Sequence, residues 1–152
     1  MSGPDIHEVT KDSVPPLQAD VVRHLEFLGY AVSDRDARWI SFTHASPRRW
    51  NVWLSFHEDQ VVLSATVRVG AAIPARHRAV QEALNNLNKL STAVRYVFVK
   101  RENEWVVRMI MHLPPRYQRE EFGANIAIWE DETDQIKEVG DAYHGDGGDG
   151  SG

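Results

Sequence analysis

The chain has 152 residues, 42% hydrophobic and 26% charged, a balance that suits one compact domain with a single core. It contains no cysteine, which excludes disulfides, thiolate metal sites and cysteine nucleophiles and fits a reducing cytoplasm. The net charge of −5 is uneven: 14 Lys+Arg face 12 Asp+Glu up to Pro115, and 3 face 10 from Arg116 onward. Nucleic-acid binding wants a basic face that releases phosphate counterions, and only short patches such as Arg48–Arg49 and Arg76–Arg78 occur. These read as a solvated turn and a helix start, so no nucleic-acid partner is expected. The first residues lack the basic-then-apolar pattern of a signal peptide, and no apolar run approaches a membrane span. The expectation is a soluble, cytoplasmic protein with no membrane partner.

Residues 1–12 are polar and read as a flexible N-terminus. Ser13, Val14, Pro15 and Pro16 then open a helix, since serine caps free N–H groups and proline is tolerated in the first turn. Leu17, Val21, Leu25 and Leu28 follow at helical spacing, and Gly29 is placed to stop the helix in a left-handed conformation. Three strand patterns come next. The first is short, Trp39–Thr43. In the second, Trp50, Val52, Leu54 and Phe56 alternate with Asn51, Trp53, Ser55 and His57. In the third, Val61, Leu63, Ala65, Val67 and Val69 alternate with Val62, Ser64, Thr66 and Arg68. Residues 45–49 and 57–60 read as the connecting turns of an antiparallel meander.

After Pro74 the period changes. Ala79, Val80, Ala83, Leu84, Leu87 and Leu90 form a helical stripe ending near Ser91. Two strands, Val94–Lys100 and Trp105–Leu113, follow around a turn at residues 101–104, and Pro114-Pro115 breaks the sheet. A last helix carries Phe122, Ile126, Trp129 and Ile136, with Glu120 and Glu121 in its first turns. Six of the ten glycines fall in residues 140–152, a Gly/Asp-rich tail with too few apolar residues to order itself. The pattern predicts a single α+β domain over 13–139, in the order α-β-β-β-α-β-β-α. Its antiparallel sheet carries helices packed mainly on one face.

Catalytic constellations are hard to find. No HExxH or HxH spacing and no GxSxG elbow occur, so no metal, cofactor or catalytic residue is assigned. His57-Glu58-Asp59 falls at a hairpin turn. The carboxylates Glu120-Glu121 and Glu130-Asp131-Glu132 read as a solvated helix face. The informative anomaly is the second face of the sheet, which an exposed sheet would make polar. Trp53, Val62, Val97, Val99, Val106 and Ile110 all point to it by strand alternation, and a contiguous apolar patch there marks a partner surface. Cover by the tail or a terminal helix is the competing explanation. Three asparagines, Asn85, Asn86 and Asn88, crowd the end of the middle helix. Asn85 and Asn86 point to its edge, whereas the Asn88 amide is placed to bond backbone at the handover to the next strand.

Leu84-Asn85, Leu87-Asn88 and the immediate strand from Val94 to Val99 make a phrase that resembles the YbjN-type family. The hairpin from Glu102 to Arg108 and the Pro114-Pro115 break extend the match over residues 15–138. That family is in turn similar to the type III secretion chaperone fold. The resemblance implies a bacterial, non-enzymatic, chaperone-like or regulatory adaptor of protein-binding type. It also implies a cytoplasmic homodimer that holds an extended client segment, and it transfers no catalytic residue. The alternative is a small-ligand-binding protein or enzyme with a pocket between sheet and helices, using His57, His112 and Glu58. A nucleic-acid module would need Arg68, Arg95 and Arg108 to share a face with aromatics.

Overall fold

The computed structural model describes residues 15–70, 74–102 and 104–137. The expectations for residues 1–12 and 140–152 lie outside the described residues. In chain order the elements are α1 (Pro16–Phe27), β1 (Tyr30–Arg35), β2 (Trp39–His44), β3 (Val52–Phe56) and β4 (Val61–Gly70). They continue with α2 (Pro74–Leu90), β5 (Arg95–Arg101), β6 (Glu104–Leu113) and α3 (Arg119–Asp134). The six strands form one antiparallel sheet in the order β1-β2-β3-β4-β6-β5. The α+β class stands, with one strand more than the sequence pattern predicts.

That extra strand, β1, follows directly from Gly29, whose φ of 100° ends α1 and turns the chain back. A side chain at Gly29 would also collide with the His44 ring, 3.0 Å from the position a Cβ would take. β1 was hidden because only Tyr30 and Val32 are large and apolar. It lies at the sheet edge, and its pairing with β2 slips between Val32 and Asp34, which breaks the alternation.

Helix α1 lies against β1, α2 against β5 and α3 against β6. All three send their apolar residues into one core. Val21 and Leu25 of α1, Val80, Leu84 and Leu87 of α2, and Phe122, Ile126 and Trp129 of α3 share one buried cluster with the rows Ile40/Phe42, Val52/Leu54, Val61/Leu63/Ala65 and Val107/Met109/Met111. Trp129, Phe42, Ile40, Leu54 and Met109 are essentially sealed from solvent. Burying side chains of this size contributes about 1.5–3 kcal/mol each relative to exposure. The opposite face of the sheet receives no described helix.

Two polar devices close the junction between α2 and β5. Asn88 Nδ2 donates to Tyr96 O at 2.9 Å, and Tyr96 N–H donates back to Asn88 Oδ1 at 2.8 Å. A side-chain amide thus makes the paired exchange that a neighbouring strand would make. The second device is Glu132, which sequence reasoning assigned to a solvated face. It is instead buried, 8% exposed. Its Oε2 accepts from Thr92 N (3.0 Å) and Thr92 Oγ1 (2.7 Å), and its Oε1 from Ala93 N (3.2 Å) and Val94 N (2.9 Å). Its own main-chain carbonyl accepts from the Tyr96 hydroxyl at 2.5 Å. The neighbouring Glu130 is partly buried too, taking the Tyr30 hydroxyl proton bond at 2.7 Å and so tying α3 to β1. Burial pushes the Tyr96 phenol, with help from the Glu132 charge, up to about 12.

Burial pushes the Glu132 carboxyl up. The bonds from Val94, Thr92 and Ala93 outweigh burial and hold it below the ordinary 4.5. A carboxyl depressed in the folded state stabilises above its unfolded value, and the contribution is lost as pH falls through the folded value. Glu132→Ala should therefore lower stability at pH 7 by about 3 kcal/mol, since charge-assisted bonds are lost and buried donors stranded. In urea melts at a series of pH values, the gap between wild type and variant should narrow below pH 4.5. Asn88→Ala should cost about 1–2 kcal/mol for its two backbone bonds, without that pH dependence.

Candidate functional site

Strand alternation sets what the uncovered face presents. From β2 come Trp39, Ser41 and Thr43; from β3, Trp53 and Ser55; from β4, Val62, Ser64, Thr66 and Arg68. From β6 come Glu104, Val106, Arg108, Ile110 and His112; from β5, Arg95, Val97, Val99 and Arg101. The register sets them in rows. Ser41, Trp53, Ser64, Ile110 and Arg95 follow one another across five strands, and Thr66, Arg108 and Val97 form the next row on this face.

Of the six residues assigned to a partner surface, Trp53 (46% exposed) and Val97 (43%) are the most open. Val62, Val99 and Ile110 are half-buried. Trp53 packs against Trp39, with ring centroids 4.7 Å apart. It is flanked in register by Ser41 and Ser64, which are nearly buried beside it. Val106 departs from the expectation. It points to this face but is only 2% exposed. It forms part of a recess bounded by Thr66, Arg68, Arg101, Glu102 and Glu104. Over this recess Arg68 and Glu104 make a two-pronged pair, Nε to Oε1 at 2.8 Å and Nη2 to Oε2 at 2.6 Å. Period-two alternation assigns a residue to a face but is blind to a salt bridge between positions 36 apart in sequence.

The three polar residues of the ligand-pocket alternative do not gather between sheet and helices. His57 and Glu58 are exposed in the β3–β4 turn, and the exposed His112 bonds Gln60 Oε1 through Nδ1 at 2.7 Å. The remaining described histidines are engaged in packing. His44 Nδ1 accepts from Ser46 N–H at 2.8 Å, so its proton sits on Nε2, which donates to Leu28 O at 3.0 Å. His77 packs against Phe98 and Trp105 on the core side. Among the described residues no three His, Asp or Glu side chains gather as a metal-binding group.

A shallow groove between α1 and the start of α3 was not foreseen from sequence. It is lined by Asp20, His24, Phe27, Tyr117, Arg119 and Gly123, among others. Here His24 Nδ1 lies 2.8 Å from the Tyr117 hydroxyl, and its ring packs against Phe122. The pairing spans 93 residues, so no local motif could reveal it. Burial, and then the Arg119 charge, hold the His24 imidazole below its ordinary 6.5.

The family model of YbjN, described as "Putative bacterial sensory transduction regulator", matches residues 18–139. The chain belongs to the YbjN family. A solved structure with the same fold is that of YbjN, "a putative transcription regulator from E. coli". It superposes with a TM-score of 0.62 at 14% identity, covering 85% of this chain and 92% of that one. At that identity the likeness is one of fold. No curated protein matches the chain. The family description is that of a regulator and names no reaction. Among the described residues of this YbjN-family chain, no helix is long and apolar enough to cross a membrane.

An NMR titration should place the His24 midpoint below 6.5, and Arg119→Ala should move it up towards that value. An unchanged midpoint in the variant would remove Arg119 as a cause.

Proposed function

We propose that the protein is a non-enzymatic regulatory adaptor. It holds a segment of a partner protein on the uncovered face of its sheet and associates with a second copy of itself. One observation carries this reading: all three described helices pack on the same side of the sheet. Trp53, Val62, Val97, Val99 and Ile110 are left on the other. Large apolar side chains left among polar ones on an open sheet face favour a partner surface there. The regulator description of the family supports the same reading, as does the likeness to the chaperone fold drawn from the sequence. The cytoplasm is the compartment that fits a cysteine-free chain of this kind.

Trp53→Asp, on the β2–β3 side of the face, should abolish self-association in sedimentation velocity. A change at so exposed a position should move the folding free energy by about 1 kcal/mol or less. A wild type that stays monomeric at high concentration, or a variant whose sedimentation matches the wild type, would count against the assigned face.

A further inference from the structure

The charges on the uncovered face narrow the partner. Across β4, β6 and β5 the face carries four arginines, Arg68, Arg95, Arg101 and Arg108, against two carboxylates, Glu104 on β6 and Glu102 in the β5–β6 turn that lines the same recess. Glu104 is already engaged by Arg68, which with burial opposing and Arg101 assisting holds it below the usual range. This half-face therefore has a surplus of two positive charges on a chain whose net charge is −5. Other acids lie away from it: Glu120, Asp131 and Asp134 are exposed on α3, on the helix side of the sheet.

The arginines are interleaved with aliphatic side chains. Arg108 pairs directly with Val97, Arg95 with Ile110, and Arg68 with Val106. Same-face neighbours along a strand are about 7 Å apart, the spacing at which an extended peptide repeats its own side chains. Arginine stems add apolar cover while their guanidinium groups seek carboxylates or phosphates. Single-stranded nucleic acid would use exposed aromatic faces for stacking, as sheet-type RNA readers do. Here the residues between the arginines are valine and isoleucine, which offer a base neither a stacking plane nor a hydrogen bond. The tryptophans of this face, the half-buried Trp39 and the exposed Trp53, stand on β2 and β3 and pack against each other. A second copy presenting the same half-face would bring its own positive surplus against this one.

The geometry points to an acidic, apolar-rich extended peptide segment as the occupant of the half-face built by β4, β6 and β5. The inference rests on the protein-binding reading above and adds the chemistry of the partner. The occupant's aliphatic side chains lie on Val62, Val97 and Ile110, and its carboxylates reach Arg95 and Arg108.

Three pools of dye-labelled decamers test this by fluorescence anisotropy against the full chain. In each pool half the positions are Val, Leu or Ile, and the others are Glu/Asp, Lys/Arg or Ser. The acidic pool should bind best and weaken with added salt. Arg108→Glu and Arg95→Glu, with unchanged circular dichroism, should each weaken it about tenfold or more, as expected for charges facing a complementary partner. Equal binding of all three pools, weakened by Trp53→Asp but not by Arg108→Glu, would overturn the acidic partner and leave the adaptor reading standing. Binding of no pool, with sedimentation unchanged in Trp53→Asp, would sink both. Tighter binding of a twenty-nucleotide oligothymidylate, lost in Arg108→Glu, would assign the half-face to nucleic acid instead. Self-association lost in Arg108→Glu without peptide binding would assign it to a second copy.

Discussion

The carboxylate of Glu132 reaches from the last helix into the turn that starts the second half of the sheet. Four donors from Thr92, Ala93 and Val94 converge on it, and its main-chain carbonyl takes the Tyr96 hydroxyl. Three of those donors are backbone N–H groups at a partly buried junction, and that of Val94 is fully buried, where an unpaired donor is costly. The placement of β5, and through it the packing of α2, depends on a side chain about 40 residues further along the chain. α3 is thus more than a lid on the core: Glu132 holds the junction, Glu130 holds Tyr30, and Trp129 fills the centre between them.

This arrangement explains why the molecule has one bare face. The helices are drawn to the side where their polar anchors lie, and the alternate residues of every strand are left to the other. Apolar and basic side chains share that second surface. The exposed acids of α3 stand on the helix side, so the chain's net charge of −5 does not describe the uncovered face. Charge totals over a sequence say little about partners when a sheet sorts its residues by parity.

Much of the fold was legible because it is periodic. The stripe from Val80 to Leu87 and the alternation through β3, β4 and β6 give both element type and facing. β1 was not legible, since a short edge strand with an irregular register needs few apolar residues. Glu132 was misread for a related reason: an acid on an amphipathic helix next to Asp131 has the local appearance of a solvated residue. Only the arrival of the loop at residues 92–94 makes burial of its charge tolerable. Of the candidate surface, the facing of Trp53, Val62, Val97, Val99 and Ile110 follows from parity. The sealing of Val106 and the pairing of His24 with Tyr117 come from contacts distant in sequence. Asn88 was readable in kind, as an amide at a helix end facing the next strand, but the two-way exchange with Tyr96 depends on how closely α2 lies beside β5.

That exchange has a consequence for how the sheet ends. β5 is an outer strand, and outer strands offer unpaired rungs on which other chains can grow. At Tyr96 the rung is already filled by the Asn88 amide, which has the hydrogen-bonding shape of a peptide group but no strand behind it to continue the ladder. An incoming strand would have to displace that amide before it could register on this part of the edge. The asparagine therefore also works as a stopper against fibrous stacking, leaving the flat face as the surface open to company.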